Sequence, residues 1–338
     1  MRWLAYHIFY HDDLDRVLIY CLLPLIKELF ASDIVDSFFY IRYNMGGPHI
    51  RLRVRLLEEK RYLVRSILDR VSEEFFSKSP SMNGISDSEI LKMSQALQDD
   101  DPFGDVEVYP NNSVVECDFF PEIERYGGKD ALVYSLNFFM ISSVDTMCWL
   151  AKNASVTRGK RLSYGYRLVA RQALGFAGAA GVGGLIDSYI NSLWAGNSSL
   201  LEEKALKHFE ERRKSLKYLL DAELESYSRM RVGRARNSGE SLLGKASARL
   251  GRLKNSIPPS MWTRIATSQI HMTCNRLGLT NIEEVYIGYL LKSSISEKTT
   301  MELQDIEDEF FSFEDMDLED IVEVSKRSLV ESSGSICK

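Results

Sequence analysis

Cysteine and histidine are both scarce in this sequence, which narrows the chemistry that it can carry. Five cysteines occur among 338 residues, and none of them forms a CxxC pair. An odd number of cysteines without metal or redox spacing favours reduced thiols in the cytosol. Of the five histidines, only His7 and His11 have the HxxxH spacing. That segment is patterned as a strand, on which four residues span roughly 13 Å, so we predict no metal site.

Long hydrophobic runs are absent from the sequence as well. The longest, Val17 to Ile26, contains Pro24 and is far shorter than a membrane-spanning helix. The N-terminal segment MRWLAYHIFYHDD reaches histidine and acidic residues too early for a signal peptide. We therefore expect a cytoplasmic protein that has no membrane partner.

The sequence also lacks a complete phosphate-binding glycine motif. GFAGAAGVGG, from Gly175 to Gly184, follows no convincing strand and lacks the GKS/T ending. We interpret it as a tight junction between two helices and expect no cofactor. The formal net charge of −6 argues against a general nucleic-acid-coating role.

The sequence does contain an arginine-rich stretch, Phe38 to Arg55 (FFYIRYNMGGPHIRLRVR). Two runs of aromatic and β-branched residues flank its glycines, which predicts a β-hairpin. In the second run, apolar residues at even positions alternate with arginines, so Arg51 and Arg53 share one face of the strand. They lie about 6.5 Å apart and can reach a single anion. A solvated strand face is the alternative interpretation.

The hairpin is part of a predicted α+β fold. Besides the hairpin, hydrophobic periodicity predicts strands at Trp3 to Tyr10, Val106 to Tyr109 and Val114 to Phe120, and helices from Asp12 or Asp13 to about Phe30, Leu57 to about Phe76, and Ser86 to Leu97. This order is the ferredoxin-like βαββαβ order with one extra helix inserted, and its antiparallel sheet leaves one face open for a second layer or a site.

The chain from Gly127 onward is patterned as almost wholly helical. We therefore expect two regions, a sheet region over residues 1–128 and a mostly helical region over residues 129–338. The helical region contains a basic stretch, Lys204 to Lys254, and an acidic one, Met301 to Glu323. The partner of the basic stretch is open on these residues, with the protein's own acidic segment as one candidate and a separate molecule as the other.

Two further stretches place polar side chains where packing alone does not call for them. In PEIERYGG, Pro121 to Gly128, Glu122 and Arg125 are three residues apart and can pair if the segment makes one helical turn. In IHMTCNRL, Ile270 to Leu277, His271 and Asn275 lie on one helical face. A salt-bridged helix start and a satisfied interior histidine are the structural alternatives.

Together with PHIRLR at Pro48 to Arg53, and with the strand-like WLAYHIFY in front, these motifs resemble the elimination domain of lantibiotic dehydratases. The resemblance extends from the N-terminus to at least Leu290. It implies the free-standing form of this domain found in thiopeptide and related peptide natural-product pathways. In that family a separate domain uses glutamyl-tRNA to esterify Ser or Thr of a precursor peptide. The elimination domain then expels glutamate, which leaves dehydroalanine or dehydrobutyrine.

The resemblance implies a lyase whose partners are a precursor peptide and a separate glutamylating protein, since this chain is too short to hold both domains. The chemistry needs a base and an electropositive cradle but no metal. We expect His271 to act as general base or proton shuttle, Arg51 and Arg53 to hold glutamyl carboxylates, and Arg125 to stabilise developing charge. Glu122 would orient Arg125 or His271. The substrate-binding candidates are Arg42, His49, Tyr126 and Asn275. Arg42 joins the cluster only if it pairs opposite an odd-numbered residue such as Arg51.

Two rival functions remain open on the sequence. One is a pyridine synthase, which joins two dehydroalanines by an aza-[4+2] cyclisation and expels the leader peptide. The other is a non-catalytic module that binds the leader peptide by β-strand addition. We favour elimination because the arginines, Glu122 and His271 occur together. Whether the active form is a monomer, a homodimer or a complex is also open.

Overall fold

A computed structural model describes residues 2–95, 107–193, 199–231, 242–298, 322–323 and 326–327. The chain divides into two compact units. The first comprises Met1–Pro121, Thr146–Ala154 and Lys326–Lys338, and the second comprises Glu122–Asp145 and Ser155–Ser325.

The first unit is built on a four-stranded antiparallel sheet. In chain order its elements are β1 (Arg2–Phe9), α1 (Leu14–Val17), a π-helical turn (Leu18–Leu22), α2 (Leu23–Ala31), β2 (Val35–Tyr43), β3 (His49–Leu56), a 3-10 turn (Glu58–Lys60), α3 (Arg61–Lys78), α4 (Asp87–Gln95) and β4 (Ser113–Cys117). The strands lie in the order β2-β3-β1-β4. This is the predicted ferredoxin-like arrangement, with α4 as the extra helix, and the predicted α+β fold class is confirmed.

Strand register gives the sheet two chemically different faces. Even-numbered residues of β3, such as Leu52 and Val54, are fully buried. Helices pack on that side, where the ring of Phe30 in α2 lies 5.8 Å from Phe38 of β2. Odd-numbered residues of β3 point to the opposite side, which we call the arginine face. It consists of His49, Arg51, Arg53 and Arg55 of β3 with the residues paired to them in β1, namely Phe9, His7, Ala5 and Trp3.

The segment before β4 differs from its prediction. No strand forms over Glu107–Tyr109, so the predicted strand Val106 to Tyr109 is wrong in its described part; Val106 itself lies outside the described residues. One backbone N–H of this segment, that of Tyr109, does bond to a chain carbonyl, Gly46 O, at 3.1 Å, but in a turn contact and without a ladder. Pro24 does not end its helix; it is the second residue of α2, directly after the π-helical turn. Its missing N–H is tolerated near a helix start.

The second unit is helical throughout its described part. Its helices are α5 (Lys129–Lys152, whose last turns belong to the first unit), α6 (Arg158–Ala177), α7 (Val182–Leu193), α8 (Ser199–Arg231), α9 (Leu242–Gly251), a 3-10 turn (Arg252–Asn255), α10 (Pro259–Leu277) and α11 (Asn281–Ser296). The glycine-rich stretch is the predicted junction, between α6 and α7, where Gly178 has a φ of 77°. The acidic segment Met301 to Glu323 lies outside the described residues except for Val322 and Glu323.

One described helix, α5, is long and apolar enough to cross a membrane by length and composition, and the bent pair α6–α7 passes only if it is counted as one span. In α5, 61% of the apolar stretch is buried inside the protein, as in a core helix. This feature is therefore weak evidence for a membrane span.

Candidate functional site

Arg53 is the most unusual side chain on the arginine face. It is only 7% exposed, and no carboxylate lies within ion-pair distance of it among the residues described. Its guanidinium donates to the carbonyl of Leu52 at 3.0 Å and to Nε2 of His7 at 3.3 Å, and lies 5.5 Å from the ring of Phe119. Burial, and then the charge of Arg51, lower its pKa to about 10. Arg53 is therefore still a cation at neutral pH, in surroundings that do not neutralise it.

Two imidazoles on this face act as hydrogen-bond acceptors for the arginines. Nδ1 of His49 donates to the carbonyl of Gly47 at 2.7 Å, which leaves Nε2 to accept from Nε of Arg51 at 3.4 Å. The rings of His7 and His49 stack with centroids 4.8 Å apart. Burial lowers the pKa of His7 to about 2 and that of His49 to about 3, with smaller contributions from neighbouring charges. Both imidazoles are therefore neutral at physiological pH.

Arg51 lies beside this pair and is held from one side by an aromatic ring. Its guanidinium carbon is 3.6 Å from the ring centroid of Tyr43, a cation–π contact that fixes the side chain. The structure thus brings Arg51, Arg53 and His49 together, as the strand pattern predicts. His7, which pairs directly with Arg51 in β1, belongs to the same cluster. The alternation of apolar residues and arginines in the hairpin did not identify His7, because His7 lies in a different strand.

Arg42 lies outside this cluster. It pairs opposite Ile50, an even-numbered residue, and so faces the helical side of the sheet. There its guanidinium forms a largely buried ion pair with Asp15, at 2.5 Å. The register condition for Arg42 to join Arg51 and Arg53 is not met.

In the second unit, the PEIERYGG segment forms a tight turn before α5. Backbone N–H groups of Tyr126 and Gly128 donate to the carbonyls of Glu122 and Ile123, at 3.3 and 2.9 Å. The predicted pairing is present, since Nη1 of Arg125 donates to Oε1 of Glu122 at 3.0 Å. Both side chains are exposed, so the pair itself contributes little stability.

Ser268 of α10 joins this turn to the helix that carries His271. Its hydroxyl lies 3.2 Å from Nη2 of Arg125 and 3.1 Å from the hydroxyl of Tyr126. Tyr126 is buried, and its ring lies 5.2 Å from that of Phe139, so it anchors the turn. Ser268, His271 and Asn275 are spaced i, i+3 and i+7, which places them along one side of α10. The turn therefore contacts α10 through Ser268, on the side of the helix that also carries His271 and Asn275.

His271 has a carboxylate partner that differs from the one expected. Its Nδ1 lies 3.0 and 3.1 Å from the two carboxylate oxygens of Glu284, at the start of α11. The side chain of Glu284 is completely buried, whereas His271 keeps 25% of its side-chain surface exposed. Glu122, which we considered as an orienting group for Arg125 or His271, contacts Arg125.

The sequence did not single out Glu284, because Glu283 and Glu284 are both acidic residues in the first turn of α11. Thr280 and Glu283 form a capping box at the start of α11, and Glu283 also pairs with the exposed Arg158. Two adjacent acidic residues in a first helical turn are an ordinary helix-start pattern. Only the packing of α7, α10 and α11 shows that one of them points outward and the other inward.

No group of three or more His, Cys, Asp or Glu residues suited to a metal occurs in the described part of the chain. The buried arginine and neutral imidazoles of the first unit suit an anion. The second unit offers a carboxylate-bound histidine and an exposed arginine on one surface, which suit proton transfer and stabilisation of negative charge.

Similar structures support the fold. The chain resembles the pyridine synthase TbtD from thiomuracin biosynthesis, with a TM-score of 0.71 and 18% identity over 88% of this chain and 98% of that one. It resembles TsrL with a TM-score of 0.57 and 14% identity over 95% and 98% of the two chains.

A third similar structure is the tRNA-dependent lantibiotic dehydratase MibB from Microbispora sp. 107891, with a TM-score of 0.52 and 17% identity. That match covers 86% of this chain but only 28% of MibB. No curated protein matches the sequence. The family model described as lantibiotic biosynthesis dehydratase C-term matches residues 3–295, which confirms the resemblance seen in the motifs. The chain therefore belongs to the lantibiotic biosynthesis dehydratase C-terminal family.

Proposed function

We propose that this protein eliminates glutamate from glutamylated Ser or Thr side chains of a ribosomal precursor peptide, as a lyase that needs no metal or cofactor. The observation that carries the proposal is Arg53, a buried cation whose described partners are a carbonyl, a neutral imidazole and a ring. Burying a charge without a counter-ion costs stability, so such a side chain favours a substrate that brings the missing anion. A glutamyl ester supplies one free carboxylate, and the departing glutamate develops a second.

The chemistry requires a base, and His271 is the candidate. It removes the α-proton of the esterified residue, and the electron pair of that C–H bond forms the Cα=Cβ double bond. The Cβ–O bond breaks as this double bond forms, and glutamate leaves as a carboxylate with the electron pair of the Cβ–O bond. Negative charge builds up on the adjacent amide oxygen during this process, and Arg125 is suited to stabilise it.

The remaining site residues bind and orient in this proposal. Arg51 and Arg53 hold the glutamyl carboxylates by paired hydrogen bonds, for which a planar guanidinium is better suited than an ammonium group. His49 supports Arg51, and Glu122 supports Arg125. Asn275 and Tyr126 contribute to substrate binding beside His271, with Tyr126 acting by fixing the turn.

A separate protein supplies the substrate in this proposal. Elimination of glutamate presupposes an enzyme that attaches it, and this chain matches only 28% of the MibB dehydratase chain. We infer that its partners are a precursor peptide and a tRNA-dependent glutamylating protein.

Pyridine synthesis is the second candidate, and one observation favours it. The match to TbtD covers 98% of that pyridine synthase, with a TM-score of 0.71. Cycloaddition of two dehydroalanines depends mainly on holding a bent substrate. It gives no reason for a buried arginine that lacks a carboxylate or for a histidine bonded to a buried glutamate, and we therefore favour elimination.

Two synthetic peptides separate the candidates. The purified protein is given either a peptide with one O-glutamylseryl residue or a peptide with two dehydroalanines, without a partner, ATP or tRNA, and product masses are measured. Glutamate loss from the first peptide supports elimination. Ring formation and leader loss from the second, with the first unchanged, would support a pyridine synthase instead. Inertness toward both would leave the non-catalytic peptide-binding module.

A further inference from the structure

Three helices of the second unit converge on a buried carboxylate behind His271. The hydroxyl of Tyr189 in α7 donates a hydrogen bond to Oε2 of Glu284 in α11, at 2.5 Å. The same oxygen lies 3.0 Å from Nδ1 of His271 in α10. Both Tyr189 and Glu284 have no exposed surface. The arrangement therefore forms a line from a buried tyrosine through a buried glutamate to a histidine that reaches the surface.

We propose that Glu284, held in place by Tyr189, is a positioning residue that fixes His271 in the tautomer with its proton on Nδ1. Nε2 then carries the lone pair and is the nitrogen that takes the substrate proton. The inference rests on the proposed function in assigning the proton to a substrate, but the tautomer itself is a property of the protein alone.

The neighbours of Glu284 use its side chain as a hydrogen-bond acceptor. Glu284 lies in the first turn of α11, where the backbone N–H groups and the helix dipole stabilise negative charge. Burial, and then the nearby Cys274 and Glu284, raise the pKa of Tyr189 well above its usual value, so its hydroxyl stays a donor. A carboxylate that has no proton to give can only accept from His271, which requires the hydrogen to be on Nδ1.

Cys274 is the rival functional group in this cluster, and the structure argues against it. Its thiol is fully buried, 3.6 Å from the Tyr189 hydroxyl. Burial and the charge of Glu284 raise its pKa well above the usual value, so the reactive thiolate is disfavoured. The exposed member of the cluster is His271.

The tautomer is measured directly by NMR on protein labelled with ¹⁵N-histidine. Five histidines give few signals, and the His271→Asn variant identifies that of His271. At alkaline pH, where the ring is neutral, we expect the wild-type spectrum to show that Nδ1 of His271 is protonated and Nε2 is not. A wild-type signal with the proton on Nε2 would overturn the proposal, whatever the protein catalyses.

The Glu284→Gln variant tests the cause. An amide can donate to Nδ1, so we expect the Nε2–H tautomer to become populated and kcat for glutamate elimination to fall by about 10²- to 10⁴-fold, with little change in KM. Glu283→Gln is the matched control, since it makes the same change one residue earlier, on the exposed side of the turn; we expect it to leave tautomer and kcat unchanged.

The two readouts keep this inference separate from the proposed function. If the wild type eliminates no glutamate but shows the Nδ1–H signal, and that signal is lost only in Glu284→Gln, the positioning role stands and the proposed reaction fails. An unchanged His271 signal in folded Glu284→Gln would refute the positioning role. If Glu284→Gln does not fold, the wild-type tautomer remains the deciding measurement.

Discussion

At the scale of single residues, the proposed anion-binding role of the arginine face implies a cost in the free energy of unfolding. Most buried charges are paired, and a buried cation without a carboxylate costs free energy. Arg55, on the same strand face, shows the ordinary solution, since it pairs with Asp36 at 2.8 Å and remains about a third exposed. Arg53 has no such partner among the residues that the structure describes, and we interpret the difference as a requirement of the proposed substrate binding.

This cost predicts that substitution by methionine changes the free energy of unfolding in opposite directions at Arg53 and at Arg55. Arg53→Met removes a buried charge and keeps an unbranched side chain, so we expect the free energy of unfolding to rise by about 1 kcal/mol while elimination activity is lost. Arg55→Met removes a paired, half-buried cation and should lower stability by about 0.5 kcal/mol. Urea unfolding measures both. A stability loss at position 53 larger than that at position 55 would contradict the interpretation.

The neutral histidines predict sensitivity to acid. An unfolded histidine titrates near pH 6.5, whereas burial lowers the pKa of His7 to about 2 and of His49 to about 3. The folded state therefore binds fewer protons, and stability is lost as the pH falls through 6.5 toward 3. Between pH 7.5 and 5.5 we expect each histidine to lower the free energy of unfolding by about 1 kcal/mol.

Urea unfolding at the two pH values tests this assignment with single variants. His49→Gln should make the loss of stability between pH 7.5 and 5.5 smaller by about 1 kcal/mol. His208→Gln, at an exposed position on α8, should not change it. Equal pH dependence in the wild type and His49→Gln would show that His49 is not held neutral by the fold.

At the scale of elements, the PEIERYGG turn depends on two glycines with different surroundings. Gly127 and Gly128 have φ values of 85° and 94°, which residues other than glycine rarely adopt. A Cβ on Gly127 would lie 3.1 Å from Cβ of Ala131 and 3.2 Å from Cδ1 of Ile265, whereas one on Gly128 would meet nothing within 4 Å.

Alanine substitutions separate backbone strain from crowding in this turn. Gly128→Ala should cost about 1 kcal/mol through backbone strain alone, and Gly127→Ala about 2 kcal/mol because crowding is added. Thermal unfolding of both variants measures the difference. Equal losses would show that α10 does not confine the turn that holds Arg125.

Sequence patterning predicted the elements whose two faces differ most. The alternation in β3 fixed the grouping of Arg51 with Arg53, because a shift of one residue would bury the arginines among the helices. Arg42 could not be placed in this way, since its face depends on the cross-strand partner. Glu284 could not be found either, because helix periodicity does not reveal what packs against a first turn. The strand predicted at Glu107–Tyr109 does not form, since the backbone N–H of Tyr109 bonds to the carbonyl of Gly46 in a turn contact rather than in a strand ladder.

At the scale of the whole molecule, two units carry complementary chemistry. The sheet unit offers buried and half-buried arginines suited to carboxylates, and the helical unit offers a histidine, an arginine and the carboxylates that support them. In the proposed elimination, the arginines would bind carboxylate and the histidine would transfer the proton.

The most direct test of the central claim follows glutamate release from an O-glutamylseryl peptide by the wild type, His271→Ala and the surface control His208→Ala, with the fold of each checked by circular dichroism. We predict that the wild type and His208→Ala convert the peptide to dehydroalanine at similar rates, and that His271→Ala is slower by about 10²- to 10⁴-fold. A folded His271→Ala variant that releases glutamate as fast as the wild type would contradict the account.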